Sequence, residues 1–274
     1  MRFWIIICAL LVSACSTSPT GRSQFMIISP QAAIVQSQKA YADTVKQLES
    51  KDQLSSDHRL ADRVQRITGR LVSTAHEHYP SSRVWEWSVA LIDDPDTVNA
   101  WCMAGGRMAV YTGLFEQLKL SDDEFAQIMG HEIAHALANH TAEQMSRAVA
   151  MQIGLSAINV ASEGNSAANQ GAQLAAVLAL QLPNSRTAES EADTIGLELA
   201  TLAGYAPQAA VSLWQKMGSL SDKRPPEFLS THPDPATRLS ALKIHATEVA
   251  GLNPKQSKAP IYPVTIVYQK DAVK

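Results

Sequence analysis

The sequence predicts an α+β fold, mostly helical, with one small sheet. Three observations point to it. Long stretches carry apolar residues three and four apart with no Pro among them, as amphipathic helices do. Short runs, chiefly Arg83 to Ile92 and Arg107 to Tyr111, show the apolar alternation or continuity of strands. The composition, 46% hydrophobic but only 6% aromatic, describes an aliphatic, alanine-rich core. A formal net charge of −3 leaves no basic stripe, so nucleic acid is not an expected partner.

The first element is a leader. Arg2 precedes the apolar run Phe3 to Leu11, and small residues follow in Val12-Ser13-Ala14-Cys15. That order reads as a signal peptide over residues 1–14, too short to cross a bilayer as a helix. Its ending resembles a bacterial lipobox, which implies lipid on Cys15. Ser16 after it resembles the pattern sorted to the outer membrane. Residues 15–29 are then a lipid-anchored linker, and the protein is expected in the periplasm, at the inner face of the outer membrane. Cys8 leaves with the leader, so Cys102 remains as a small apolar residue and no internal disulfide is expected.

Residues 30–250 form the main domain. Pro30 to Glu49 and Asp57 to His78 read as amphipathic helices, followed by the two strands, the second entered through a Gly105-Gly106 turn. Ser121-Asp122-Asp123-Glu124 matches a capping box, and Phe125, Ile128, Met129, Ile133, Ala136 and Leu137 continue as a helical stripe. A helix over Ala142 to Val160 breaks at Ser162 to Ser166 and resumes from Ala167 to Leu182. The Ala/Gln-rich segment 151–181 reads either as a helical hairpin or as a flap over a cleft. Pro183-Asn184-Ser185 opens a helix ending at Gly204, and Tyr205 to Met217 and Pro235 to Val249 complete the set. Residues 251–274 are a tail, with Ile261 to Tyr268 as an added strand.

The chemistry lies in His131-Glu132-Ile133-Ala134-His135. Residues four apart share a helix face, so His131 and His135 can aim imidazole nitrogens at one point, with Glu132 beside it as a general base for a metal-bound water. A catalytic zinc takes three protein ligands and leaves one position open. A third His ten residues after the first is missing: position 141 is Thr, and His140 is one residue out of register. Glu189, on the later helix, is the better candidate. Asp193, one turn on, is placed to accept from the outer nitrogen of a ligand His. Glu191 points away from both and is expected to be a solvated surface charge. One Zn2+ per chain is the expected cofactor.

With the helix His131 to His135, the run Glu189-Ser190-Glu191-Ala192-Asp193, Val98-Asn99-Ala100-Trp101 leading into Gly105 to Leu114, and Thr231-His232-Pro233 followed by Arg238, the chain resembles the zinc metallopeptidases grouped with the CAAX prenyl protease and HtpX. Its style is that of the periplasmic lipoprotein branch resembling BepA and LoiP. The resemblance runs from about Asp57 to about Leu242. It implies a zincin-like (gluzincin) domain, with His131, His135 and Glu189 as zinc ligands and Glu132 as catalytic base. It also implies a place near the metal for His232. That ring could donate to the oxyanion, bind the metal and hold the enzyme idle, or merely turn the chain into a helix. The strand Gly106, Arg107, Met108, Ala109 and Val110 is expected to offer an open edge to an extended substrate. The function expected is a metalloendopeptidase for unfolded or stalled envelope polypeptides, with outer-membrane assembly machinery as a further partner. The alternative is a zinc-bearing chaperone or assembly factor with weak or latent activity.

Overall fold

Strand β3 (Ser88–Ile92) is buried at all five positions, because the sheet it belongs to is covered on both faces. The computed structural model describes residues 15–161, 182–221, 227–232 and 235–269. Four strands lie in the order β4 (Ala100–Met103), β5 (Arg107–Tyr111), β3 and β6 (Thr265–Val267). β3 runs parallel to β5 and to β6, while β4 and β5 form an antiparallel hairpin. Side chains alternate across the sheet. Val89, Leu91, Met108 and Val110 enter the main core with helices α2 (His58–His78) and α4 (Asp122–Leu137). Ala90, Ile92 and Ala109 face the other way, onto Tyr41 of helix α1 (Pro30–Ser50).

The helix ends follow from their caps. Ser29 accepts from the Ala32 amide at 3.2 Å and Asp57 from the Leu60 amide at 3.0 Å. At α4 the capping box is complete, with Ser121 Oγ accepting from Glu124 N and Glu124 accepting from Ser121 N. A short helix α3 (Gly113–Leu118) precedes it. Helices α5 (His140–Ala161), α6 (Leu182–Leu202), α7 (Ala209–Ser221), α8 (Glu227–Thr231) and α9 (Pro235–Val249) follow. Among the described residues no helix is long and apolar enough to cross a membrane. The break at 162–166, the leader 1–14 and all but Leu182 of the helix expected from Ala167 to Leu182 lie outside the described residues.

Several expectations shift. The strand expected from Arg83 begins at Ser88, because Pro80, with its preset φ, starts a 3-10 turn over Pro80–Val84. The helix expected from Tyr205 begins at Ala209, after a turn through Pro207. The tail does add a strand, confined to Thr265–Val267. The larger correction concerns Gly106 to Val110. β5 is paired on both sides, so its backbone groups are spent within the sheet and it has no open edge. The unpaired edge beside α4 belongs to β4, which the sequence reading missed. The turn joining them uses φ values of +83° at Gly105 and +79° at Gly106, where a side chain would be strained.

Residues 15–29, expected as a linker, start as a hairpin of β1 (Cys15–Thr17) and β2 (Ser23–Phe25). Gln24 donates to Ala138 O at 2.8 Å and to Glu143 at 2.9 Å, and Arg22 makes a forked pair with Glu143 at 3.0 and 2.7 Å. Burial would push the Glu143 carboxyl up, but the donors Arg22, Arg147 and Gln24 outweigh it and hold it down at about 2. A carboxyl lowered on folding contributes stability above its unfolded value of about 4.3 and loses it as pH falls toward the folded one. Glu143→Gln should therefore lower the urea midpoint at neutral pH. It should also flatten the decline between about pH 5 and about pH 3. Parallel declines in the two proteins would mean that the pairing contributes nothing.

Candidate metal centre

Helices α4 and α6 approach so closely that neither tolerates a side chain at the crossing. A Cβ on Gly196 would lie 2.7 Å from the His131 nitrogen, and one on Gly130 would lie 2.7 Å from the Gly196 oxygen. Both obstacles are backbone and cannot swing aside. The contact sets the next residue of α4, His131, beside the face of α6 that carries Asp193 and Glu189. From the other side, α8 delivers His232, whose amide donates to Phe228 O at 2.9 Å and whose ring stacks on Phe228.

Four donor-bearing side chains meet here. His131, His135, Glu189 and His232 each offer a ligand atom, and these atoms all lie within 4.8 Å of one another. His131 Nε2 is 3.0 Å from His135 Nε2, 3.2 Å from His232 Nδ1 and 3.3 Å from Glu189 Oε2. His135 Nε2 is 3.5 Å from Glu189 Oε1, and His232 Nδ1 is 2.9 Å from Glu189 Oε2. Donors about 2.0–2.2 Å from one tetrahedral zinc stand roughly 3.3–3.6 Å apart, so the set has nearly the right size. Three imidazole nitrogens and one carboxylate oxygen are also N and O donors of the kind that hold zinc. The residues fit zinc.

The surroundings orient the rings. Asp193 Oδ1 lies 3.0 Å from His131 Nδ1, the contact expected of it. Arg238 is buried and holds Asp193 through two nitrogens at 2.7 and 2.6 Å, while a third sits 2.8 Å from Glu189. Its guanidinium lies over the Trp214 ring. The sequence reading named Arg238 only as part of the resemblance; a role would have needed the fold. His135 is backed differently, with His140 Nδ1 2.9 Å from its Nδ1.

Glu191 is a correction. It is 5% exposed, not a solvated charge, and its carboxylate meets His140 Nε2 at 3.0 Å and Arg22 at 2.9 Å. Glu189 and Glu191 project to opposite sides of α6, and both sides are covered: α4 on one, α5 and the hairpin on the other.

Electrostatics divide the pair of histidines. Burial opposes charge on His131, but the carboxylates of Asp193 and Glu189 outweigh it and raise its pKa to about 9. His135 goes well below the ordinary value, by burial first and then by the charge on His131. Burial raises the Glu132 pKa above the usual carboxylate range. Its Oε1 has no hydrogen-bond partner among the described residues, with His232 Nε2 at 3.3 Å but off hydrogen-bond geometry. A buried unpaired carboxylate oxygen is costly, and such groups are kept where chemistry uses them. Strand β4 runs along α4 beside these groups, and Cys102 on it packs against the core.

The model of peptidase family M48 matches residues 58–246. The chain belongs to peptidase family M48. By family and by donor set it is a zinc metallopeptidase. It is 36% identical over 159 residues to the mitochondrial metalloendopeptidase OMA1 of Arabidopsis thaliana, which covers 57% of this chain and 31% of that one. The OMA1 of Saccharomyces cerevisiae is 28% identical over 235 residues, covering 80% and 65%. The β-barrel assembly-enhancing protease of Escherichia coli is 29% identical over 216 residues, covering 75% and 42%. The chain thus spans from about a third to about two thirds of the length of these relatives. Relatives named for mitochondria and for β-barrel assembly both match, so the similarity shows the family and no single branch of it.

The helix crossing supplies a test. Gly196→Ala should cost about 1–3 kcal/mol in urea unfolding, as overpacking does, and lower the zinc content of the purified protein. Unchanged zinc content would show that the crossing does not set the donor spacing.

Proposed function

We propose that the chain is a zinc-dependent endopeptidase acting on unfolded or misassembled cell-envelope proteins. One observation carries the reading. Three donors from two distant helices, His131, His135 and Glu189, converge beside a buried carboxylate, Glu132, whose Oε1 accepts no hydrogen bond among the described residues. A zinc ion in that set supplies Lewis acidity to a peptide carbonyl and acidifies a water toward neutral pH.

The chain's own groups do the rest. Asp193, clamped by Arg238, orients His131. Glu132, its pKa raised by burial, accepts the proton of the attacking water and passes it to the leaving amine. The edge of β4, unpaired among the described residues, is suited to take an extended substrate backbone by strand addition, the role first expected of β5. His232 is buried with Nδ1 turned into the donor set, where it would serve as a further ligand holding the enzyme at rest and would give way when substrate binds.

The envelope setting draws support from Val12-Ser13-Ala14-Cys15 and from the β-barrel assembly in the name of one relative. On this reading the protein is periplasmic and held to the outer membrane through lipid on Cys15. Stalled envelope polypeptides are its substrates and the assembly machinery its neighbour.

Glu132→Gln should keep its zinc and lose casein cleavage by about 10²–10⁴-fold, the usual share of a general base. Retained cleavage would remove the proposed mechanism and favour the chaperone reading for the zinc-loaded protein. His232→Ala should raise turnover. A fall would instead assign that ring to stabilising the oxyanion.

A further inference from the structure

Among the described residues no carboxylate stands behind the Nδ1 of His135. The ring leans on a second imidazole, and a chain of polar groups leads from there to the N-terminal hairpin. His140 Nδ1 stands 2.9 Å from His135 Nδ1, and His140 Nε2 stands 3.0 Å from Glu191 Oε2. Glu191 in turn accepts from Arg22 Nε at 2.9 Å and from the Thr20 hydroxyl at 2.5 Å, both in the N-terminal hairpin. Arg22 also reaches Glu143 on α5, so the hairpin is pinned to two helices at once. His140 and Glu191 are both buried.

We propose that the N-terminal hairpin belongs to the metal centre: Arg22 and Thr20 hold Glu191, Glu191 fixes His140, and His140 fixes the ring of His135. The inference rests on His135 being a metal ligand. If its Nε2 faces the metal as a lone pair, its proton sits on Nδ1 and must be given away. His140 Nδ1 is then the acceptor, which puts the His140 proton on Nε2, and that proton goes to Glu191. One set of neutral tautomers satisfies every contact from Glu191 to the donor cluster. Reverse the His140 tautomer and two N–H groups collide at 2.9 Å while Glu191 faces a lone pair. The carboxylate at the far end thus selects which nitrogen of His135 is free.

The arrangement parallels the partner of His131, where Asp193 touches the ring directly and Arg238 clamps Asp193. For His135 the carboxylate is one ring further out and its guanidinium comes from the hairpin. Arg22, Thr20, Glu191 and His140 are positioning residues, since none of them touches the donor cluster except through His135.

The test uses the full chain and zinc with a competing chromogenic chelator. Arg22→Ala and Glu191→Gln should each weaken zinc binding by about 10–100-fold, the usual effect of removing a group that orients a ligand. Arg147→Ala, which removes a partner of Glu143 and leaves Glu191 alone, should leave zinc binding unchanged. A purely structural role for Arg22 would lower the melting temperature without moving the zinc constant, and folded variants with wild-type affinity would overturn the proposal. Imidazole nitrogen NMR of the zinc-loaded wild type gives an answer even if the variants do not fold. It should show the proton on Nδ1 of His135 and on Nε2 of His140, and the opposite tautomer at His140 would end the idea. A wild type that binds no zinc would sink the metal reading itself, and this proposal with it.

Discussion

Everything at the centre depends on how near α4 can come to α6. Gly130 and Gly196 face each other there, and a methyl group on either would strike the other helix's backbone. Each glycine costs about 1 kcal/mol of helix propensity relative to alanine. That cost is maintained because donor atoms on the two helices must agree to a few tenths of an ångström. His131 follows Gly130 directly, and Asp193 and Glu189 lie one and two turns before Gly196, so the tightest point of packing adjoins the site. Error in helix placement has little length over which to grow.

The sheet does a related job from the opposite side. Both its faces are covered, by α1 on one and by α2 and α4 on the other, so the roll of α4 is set by Val89, Leu91, Met108 and Val110 beneath it. With β6 closing the far side, the edge left beside the donors is β4. The β4 edge and the metal helix are then packed directly against each other.

The sequence made the metal helix readable because its information is local. A complete cap at Ser121, an apolar stripe and the pair His131 and His135 four apart all speak about one helix. Glu189 and Asp193 were readable for the same reason. Glu191 was misread because helical periodicity reports faces and cannot say how many of them are covered; α6 is clamped on both sides, and a residue opposite the metal face is no nearer to water. The open edge was assigned to β5 when it belongs to β4, because strand order depends on long-range pairing that no run of five residues encodes. β4 itself, Ala-Trp-Cys-Met, is too short to show a period. Arg238 and His140 stood in plain view as residues, but their partners arrive from other elements, and the role of each lies in the partner.

The two histidines of α4 are held by unlike means, and the difference is electrostatic. Asp193 meets His131 Nδ1 directly and makes the opposite nitrogen, Nε2, the stronger base, while Arg238 withdraws part of the effect by sharing both Asp193 and Glu189. Glu191 acts on His135 across an intervening imidazole, so its charge is farther away and reaches the site weakened. A cluster with Glu132, Glu189 and Asp193 already close together gains little from a fourth carboxylate at contact distance, since added negative charge would raise the Glu132 pKa further. Relaying the fourth carboxylate through His140 keeps its orienting hydrogen bond and holds its charge back, beside Arg22, where it is balanced.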